Sequence, residues 1–539
     1  MKFIGFFICF FIININLLFA KKIVSENPKL IVLVVIDQMR PDYIYQFWDD
    51  FGENGFKKII TEGMVFRNAR YNYAFTQAGP GCATIVTGTY PSIHGIIADS
   101  WYDRTKEETL FCVSDNESKA IDGTYESGQY SPKWLLSSTI SDEMRFFTNG
   151  KSKSFGIALD PMPAILLSGH NANVAYWFDM KSGKWLTGSY YLNNLPEWVI
   201  DFNNKKIPEI YISRTWEYQN INEKELNSDT NTIGKIVKKI KSFRYNLSEH
   251  YNRDKNFEFL KSTPYGNILT SDFFTNTVIN EELGKDEFTD FISIYYSATG
   301  IIGRKYGPYS PEFRDAIIKL DVEIARLLNF LDENIGLENT LFIVTSDRGG
   351  SYSPEFLGQY KINGDYFNNY QALALLRSYL NVVYGKGSWV QYFQFNQLYL
   401  NHNLIENSKV LLSDFQNVVA SFLLNFSGIS NVITSSSLNF SNNNNFNNFF
   451  YNSYYPKRSG DIFICLDPGW VEKSDDKIFS NSFYPNDIQV PLMWYGWKIK
   501  RKTISRPIDM IDVAPSISVF LNLPFTNACF GHPIPEIVE

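Results

Sequence analysis

Apolar runs of the kind that form buried strands recur along the chain. The first, Leu30–Ile36, reads LIVLVVI, and such an unbroken aliphatic run is typical of a parallel strand covered on both faces. Further runs of this type lie at residues 155–159, 291–296, 340–345, 461–466 and 490–495. Residues 311–331 instead repeat apolar side chains at helical spacing, with charges on the opposite side. Strands that alternate with helices predict an α/β fold, with a mostly parallel sheet flanked by helices on both faces.

Three segments depart from this alternation. Residues 174–191 predict a hairpin that turns at Ser182-Gly183 and leaves the main sheet. Residues of about 202–290 are more polar and indicate an inserted lid or subdomain, and about 435–455 form an Asn-rich loop of low complexity. We therefore predict one α/β domain over residues 21–539 that carries these insertions.

The N-terminus has the pattern of a secretory signal peptide over residues 1–20. A basic start at Lys2 precedes an apolar run that ends at Ala20, before a pair of lysines. A membrane anchor is the alternative, but Asn14 and Asn16 interrupt the short run and favour cleavage. No later stretch is long and apolar enough to span a bilayer, so we predict an exported, periplasmic protein without a membrane span.

Composition narrows the function classes. Of 539 residues, 44% are hydrophobic, which excludes disorder of the whole chain. Lys and Arg number 50 against 57 Asp and Glu, a net charge of −7, so no cationic surface for nucleic acid is indicated. The cysteines after the signal could pair as two disulfides in any of three ways, and their spacing does not indicate a zinc site; they are Cys82, Cys112, Cys465 and Cys529.

The chemistry of the chain is indicated first by Asp37, which ends the first strand, where open α/β sheets place their ligands. Segments around it and beyond carry a family pattern in order; they lie at 34–43 (VVIDQMRPDY), 67–104, 155–170, 295–308, 342–350 (FIVTSDRGG), 455–470, 490–499 and 507–531. Together they resemble the phosphate-irrepressible periplasmic alkaline phosphatases, a branch of the alkaline phosphatase superfamily that includes type I phosphodiesterases and nucleotide pyrophosphatases.

This resemblance implies an enzyme with two zinc ions and a threonine nucleophile, in which an asparagine, a lysine and an arginine hold the phosphate oxygens. In this chain the nucleophile position holds Ala78, and the phosphate-binding positions hold Asp99, Asp160 and Met162. The metal-ligand positions hold Asp37, Gly300, Arg304, Asp347, Arg348 and Gln489. Only Asp37 and Asp347 keep the residue of the family.

These changes remove the chemistry that the resemblance implies. A methyl group at position 78 cannot attack phosphorus, and a guanidinium has no lone pair to donate to zinc. Carboxylates at 99 and 160 would repel a phosphate dianion. We therefore predict a pseudophosphatase with no cofactor, in which Asp37 and Asp347 are remnants of the metal site. Arg304 and Arg348 are expected to mimic the metals by forming salt bridges with those carboxylates, although binding of a small anion is an alternative.

Two other functions are compatible with the residues. An active hydrolase would bind Mg²⁺ or Ca²⁺ through Asp37, Asp99, Asp160 and Asp347 and use water as its nucleophile. A non-enzymatic module would instead use the insertion at 202–290 and the Asn-rich loop to contact a partner or glycan, which the sequence does not identify.

Several other reactive side chains are expected to be structural. Thr76 as a shifted nucleophile would displace the Gly-Pro-Gly turn, and Cys82 is expected to pack in the core or join a disulfide rather than act as a nucleophile. Among the histidines, His94 and His170 are expected to form structural hydrogen bonds, whereas His250, His402 and His532 lie in polar, loop-like segments and are expected to be exposed.

Overall fold

The structure is a computed structural model that describes residues 26–218, 242–438, 445–474, 477–479 and 482–538. The predicted signal peptide lies outside these residues. So do residues 219–241 of the predicted insertion and residues 439–444 of the Asn-rich loop.

The strands have the following bounds: β1 Leu30–Ile36, β2 Met64–Arg70, β3 Ser100–Asp103, β4 Glu108–Phe111, β5 Ala120–Ile121, β6 Ser154–Ala158, β7 Val174–Asp179, β8 Lys184–Gly188, β9 Thr215–Tyr218, β10 Phe243–Asn246, β11 Asp290–Tyr296, β12 Thr340–Ser346, β13 Tyr366–Phe367, β14 Val390–Gln394, β15 Gln397–Leu400, β16 Ile429–Thr434, β17 Ile462–Leu466, β18 Val471–Ser474, β19 Lys477–Phe479, β20 Gln489–Gly496, β21 Lys502–Ile504 and β22 Ile508–Asp509.

The α-helices have the following bounds: α1 Pro41–Gln46, α2 Phe56–Glu62, α3 Ala78–Thr87, α4 Pro91–His94, α5 Ile140–Phe147, α6 Pro161–Ser168, α7 Glu197–Asn204, α8 Ile207–Ile212, α9 Leu247–Asp254, α10 Glu258–Lys261, α11 Pro264–Asn280, α12 Ala298–Tyr306, α13 Pro311–Asn334, α14 Pro354–Gln359, α15 Asn369–Tyr384, α16 His402–Asn407, α17 Leu412–Leu423, α18 Ser435–Leu438, α19 Asn445–Ser453, α20 Pro485–Ile488, α21 Val513–Phe520 and α22 Pro535–Val538.

The large sheet has the strand order β21-β2-β20-β12-β1-β11-β6-β7-β8-β5, with β22 beside β2. Its central strands, from β12 through β1, β11 and β6 to β7, are parallel. Antiparallel strands flank them: β20 on one side and β8 on the other. The predicted α/β fold with a mostly parallel sheet is therefore confirmed.

Strand β1 is the centre of this sheet, and its sequence explains why. All of its residues are buried, as its aliphatic run predicts. Because side chains alternate along a strand, Val32, Val34 and Ile36 join the hydrophobic core on one face, whereas Leu33 and Val35 join the core on the other. Helices α11 and α13 cover the first face, and α3 and α6 cover the second.

Two strand predictions need correction. The hairpin at 174–191 forms, but it extends the main sheet instead of leaving it, because β7 pairs in parallel with β6 and is buried throughout. The run at 461–466 forms β17, which lies in a separate antiparallel sheet of order β14-β15-β17-β16. That smaller sheet packs against α15 and α17 around a hydrophobic core of its own, so β17 is as buried as a central parallel strand.

The segment around 202–290 contributes to the main core within the residues described. Helix α11 places Leu269, Phe273 and Phe274 in the core beneath the sheet. The strands β9 and β10 form a small hairpin beside it. Among the described residues no helix is both long and apolar enough to cross a membrane.

The four cysteines of the described chain are free thiols, so the two disulfides considered from the sequence do not form. Cys82, Cys112 and Cys465 are buried, and Cys529 is partly buried. They act here as small core residues.

A close contact between β6 and α6 gives a test of the packing. A Cβ atom at Gly156 would lie 2.1 Å from the carbonyl oxygen of Ala164. We expect Gly156→Ala to destabilise the protein by about 1–3 kcal/mol because the helix must move away from the sheet. Gly358→Ala is the matched control, since a Cβ there meets nothing within 4 Å. Urea unfolding of both variants measures the difference, and equal midpoints would contradict the packing.

Candidate functional site

The predicted site residues meet at the carboxyl ends of the central strands. Asp37 follows β1, Asp347 and Arg348 follow β12, and α12, which carries Gly300 and Arg304, begins after β11. These strands are neighbours in parallel register, so the segments that follow them emerge at the same edge of the sheet.

At this edge two carboxylates and two guanidiniums form a compact group, which we call the ion cluster: Asp37, Asp347, Arg304 and Arg348. Arg348 Nη2 lies 3.1 Å from Asp37 Oδ1, and its Nη1 lies 3.5 Å from Asp347 Oδ2. Arg304 donates from both Nη1 and Nη2 to Asp37 Oδ2, each at 3.2 Å. Asp37 is thus held between two cations, as the salt-bridge hypothesis required.

Asp347 is the most deeply buried member of the ion cluster. The backbone N–H of Gln38 donates to its Oδ1 at 3.1 Å, and the hydroxyl of Tyr295 donates to its Oδ2 at 3.0 Å. Burial raises the pKa of Asp347 to about 7, and Asp37 adds to the rise, although Arg348 and both hydrogen bonds oppose it. Gln38 and Tyr295 lie in segments that carry the family resemblance, but sequence reasoning did not single out either residue as a support of the site.

Arg348 stays charged in this setting. Burial alone would lower its pKa, but the neighbouring carboxylates of Asp37, Asp347 and Asp99 outweigh that effect and hold its pKa above the ordinary value. A permanently charged guanidinium between the two carboxylates excludes a second cation from that position.

Gly300 is part of the same arrangement. A Cβ atom at this position would lie 2.2 Å from Asp37 Oδ2. The carboxylate of Asp37 therefore occupies the space in which any side chain at 300 would begin. Because Gly300 has no side chain, the carboxylate of Asp37 has room to lie close to α12 and to accept hydrogen bonds from Arg304.

On the side of the nucleophile position, the N-terminus of α3 is already occupied by an internal carboxylate. Ala78 is the first residue of α3, and the N–H of Gly79 donates to Asp99 Oδ1 at 2.7 Å. The N–H of Asp99 in turn donates to Gln77 Oε1 at 2.9 Å. Burial raises the pKa of Asp99, whereas Arg348 and the Gly79 hydrogen bond lower it. Asp99 takes the helix-terminal position that suits an anion.

Asp160 is neutralised by a residue that sequence reasoning missed. Lys261, the last residue of α10, donates from Nζ to Asp160 Oδ1 at 2.6 Å. Burial lowers the pKa of Lys261, but Asp160 and Glu258 outweigh it and the pKa is raised. No motif connects Lys261 to Asp160, because only the fold brings α10 to the start of α6. Met162 is buried near Gly79. A Cβ atom added at Gly79 would lie 3.2 Å from the Sδ atom of Met162.

Gln489 lies at the start of β20, and its Nε2 lies 3.5 Å from Asn68 Oδ1. Within the described chain its side chain makes no hydrogen bond to the ion cluster. The structure therefore gathers Asp37, Gly300, Arg304, Asp347 and Arg348 in one group, and among the described residues the side chain of Gln489 is not hydrogen-bonded to that group.

Metal binding does not fit these residues. Over residues 26–218, 242–438 and the later described segments, no group of three or more His, Cys, Asp or Glu side chains is arranged to hold a metal ion. Zinc favours about four ligands with nitrogen or sulfur among them, and Asp37 and Asp347 are already engaged with guanidiniums. The four-carboxylate site for Mg²⁺ or Ca²⁺ also fails to form, because Asp99 binds Gly79 and Asp160 binds Lys261.

The rival nucleophiles are placed unfavourably. The hydroxyl of Thr76 donates to the carbonyl of Asp487 at 3.2 Å and is fully buried. Burial raises the pKa of the Cys82 thiol far above its ordinary value, with added repulsion from Asp347 and Asp99, so a reactive thiolate is disfavoured.

The histidines have structural roles or face solvent. His94 is buried and its ring contacts Thr84 Oγ1 and the N–H of Ile96. His170 contacts Asp142 and the carbonyl of Leu135. The remaining histidines were expected to be exposed. His402 and His532 are exposed as expected, and His402 Nε2 lies 2.7 Å from Asp461 Oδ1, whereas His250 is partly buried and stacks on Phe259.

Comparisons with known proteins agree with this geometry at the level of the fold. The family described as "Type I phosphodiesterase / nucleotide pyrophosphatase" matches residues 31–482. The chain is 34% identical to a Myroides odoratus protein named calcium-transporting ATPase, over 98% of each chain. It is 32% identical to alkaline phosphatase PafA of Elizabethkingia meningoseptica, over 95% of each. The crystal structure of alkaline phosphatase PafA matches with a TM-score of 0.88 at 30% identity, covering 95% of this chain and 99% of that one.

The ion cluster should contribute measurably to stability. We expect Arg348→Met to destabilise the protein by about 3–5 kcal/mol, because it leaves buried carboxylates without their cation. Arg377→Met, at an exposed position on α15, is the control and should change stability little. Urea unfolding at pH 7 measures both. When Asp37→Asn is combined with Arg348→Met, the double variant should lose less free energy of unfolding than the sum of the two single variants. Strict additivity of the two losses would contradict the ion pair.

Asp347 should also make stability depend on pH. Its pKa is about 7 when folded against an ordinary value of 3.8, so the folded state binds its proton more tightly. Between about pH 4 and pH 7 the stabilising effect of that proton is lost as the pH rises, by up to about 1.4 kcal/mol per pH unit. Asp347→Asn should lose this part of the slope in urea titrations at pH 5 and pH 7. Asp201→Asn, exposed on α7, should follow the unmodified protein, and equal slopes in all three would contradict the assignment.

Proposed function

Since the chain belongs to the type I phosphodiesterase / nucleotide pyrophosphatase family, we propose that it is an exported, catalytically inactive member that acts by binding rather than by hydrolysis. The observation that carries this proposal is the ion cluster. Asp37 and Asp347, the metal-ligand positions that keep their aspartates, are bound by Arg348, and Asp37 is also bound by Arg304. Guanidiniums supply the positive charge that metal ions would supply in the family.

The absence of a usable nucleophile supports the same conclusion. The methyl side chain of Ala78 has no lone pair with which to attack phosphorus. The hydroxyl of Thr76 donates to a backbone carbonyl, and burial keeps the Cys82 thiol neutral. Activation of water would require a metal or a general base beside the substrate phosphorus. In the ion cluster Asp37 is engaged by two arginines and therefore is a poor base.

The charges around position 78 also oppose a phosphate ester. Family phosphatases hold the phosphate with an amide and two cations, by resemblance, and this chain has Asp99, Asp160 and Met162 there. Asp99 already accepts the helix-terminal hydrogen bond of Gly79, so a phosphate would have to displace an internal anion. A relative is named alkaline phosphatase, but the side chains at positions 78, 99, 160 and 162 of this chain do not support the chemistry of that name.

A binding role is the function that such a fold can retain after the loss of catalysis. The framework around the altered positions folds as in the relatives, so surfaces and cavities beside the former centre remain available. Export is proposed from the signal-like residues 1–20, and it places this binding outside the cytoplasm.

The proposal is tested by metal analysis of the purified mature protein together with turnover of p-nitrophenyl phosphate, with and without added Zn²⁺. We expect no stoichiometric metal and no turnover above a buffer blank, and chelators should leave the melting temperature unchanged. Ala78→Thr should remain inactive, because a hydroxyl without metal ions is a weak nucleophile at neutral pH. Alkaline phosphatase PafA, assayed in parallel, is the positive control. Two zinc ions per chain with turnover would overturn the proposal.

A further inference from the structure

A cavity of ≈ 370 Å³ opens beside the ion cluster, on the side of α12. Gln38, Thr299, Gly300 and Arg304 line its inner wall. Within the described chain, neither Ala78 nor Asp99 is among the lining residues. The cavity therefore borders the metal-ligand positions 300 and 304 but not the nucleophile position 78 or the phosphate-binding position 99.

Arg304 presents an unused hydrogen-bonding edge at this cavity. Its Nη1 donates to Asp37 Oδ2 and, at 2.8 Å, to Gln38 Oε1, and its Nη2 donates once to Asp37 Oδ2. A guanidinium carries five N–H groups, so the Nε–H and the second Nη2–H remain, and neither donates to a described residue. These two donors lie on one edge, parallel and coplanar, which is the geometry that binds a carboxylate through both oxygens.

Thr299 is a second, independent sign of a ligand. Its side chain is buried, and its Oγ1 has no hydrogen-bond partner among the described residues. Since a buried hydroxyl without a partner costs free energy, such groups in folded proteins generally meet a partner or a ligand. Thr299 lines the same cavity as Arg304 and is offered there as a donor.

The remaining wall favours an apolar body. Tyr43, Tyr306 and Phe313 line the cavity, and Tyr43 and Phe313 are buried. Ligand cavities commonly combine such apolar walls with a few directed polar groups. A ligand that fits has one polar end at Arg304 and a small aromatic or aliphatic remainder.

Charge distinguishes a carboxylate from a phosphate. Arg304 already shares its charge with Asp37, and Glu355 lines the same cavity. Lys305 also lines the cavity, so two cations balance these two carboxylates, and a bound monoanion leaves one net negative charge where a bound dianion leaves two. We propose that this cavity binds a small organic monocarboxylate, held by the Nε–Nη2 edge of Arg304 and the hydroxyl of Thr299. The inference rests on the proposed binding function and names its ligand class.

The test uses isothermal titration calorimetry of the mature protein with benzoate as the probe. Benzamide, which has the same shape without the charge, and phenyl phosphate, which is a dianion, are the matched ligands. We expect benzoate to bind at least about 10-fold more tightly than either, because a charge-assisted bidentate contact is lost in benzamide and repulsion is added in phenyl phosphate.

Variants locate the binding. Arg304→Lys keeps the charge but removes the two-donor edge and should weaken benzoate binding by about 10-fold or more. Thr299→Val removes the hydroxyl without changing the size of the side chain and should weaken it by about 3- to 10-fold. Arg377→Lys should bind as the unmodified protein does. Melting curves confirm that each variant is folded, and Thr299→Val keeps the test open if Arg304→Lys unfolds.

Two failures are distinguishable because p-nitrophenyl phosphate turnover is measured on the same preparation. Turnover with added zinc would overturn the proposed function. No turnover, together with equal binding of benzoate and benzamide or with no binding of benzoate, would overturn only the carboxylate site. Benzoate binding that neither variant changes would also overturn it.

Discussion

The structure of this site depends on one constraint, which is the need to neutralise carboxylates at the buried end of the central sheet. Asp37 directly follows β1, and Asp347 directly follows the neighbouring β12 and is itself fully buried. Two such charges close together are costly unless cations accompany them. Arg348 and Arg304 supply these cations from within the chain. The two arginines of the ion cluster therefore neutralise its two aspartates.

The same principle extends beyond the ion cluster. Asp99 is held by the N-terminus of α3, and Asp160 is held by Lys261. Within the described chain, Asp37, Asp99, Asp160 and Asp347 therefore each have an internal partner. An active metallo-phosphatase needs the opposite condition, with charges left open toward a metal or a substrate. On the proposed binding function, charges that are satisfied internally are not needed to stabilise a transition state.

Much of the fold follows from local patterns in the sequence. The aliphatic run of β1 predicted a central strand because only full burial on both faces suits seven consecutive apolar residues. The apolar side chains at helical spacing likewise predicted the long amphipathic helix α13. Strand β17 shows the limit, because burial by a second core produces the same apolar run as burial in the main sheet. The hairpin of β7 and β8 shows another limit, since the pairing of β7 with β6, on the other side of α6 in the chain, leaves no mark in the residues of the hairpin itself.

The sequence by itself determined which residue types stand at the carboxyl ends of the strands, and the resemblance to a family gave each of them a role. Identity alone excluded a threonine nucleophile at 78 and an imidazole at 348. Only the tertiary structure decided which charges pair. Lys261 reaches Asp160 from another helix, and Asp37 lies against Gly300. Arg304 and the Thr299 hydroxyl, which has no hydrogen-bond partner among the described residues, line one cavity. Such pairings depend on distances of a few ångströms between segments far apart in the chain, and electrostatic interaction at that range is set by the fold rather than by sequence spacing.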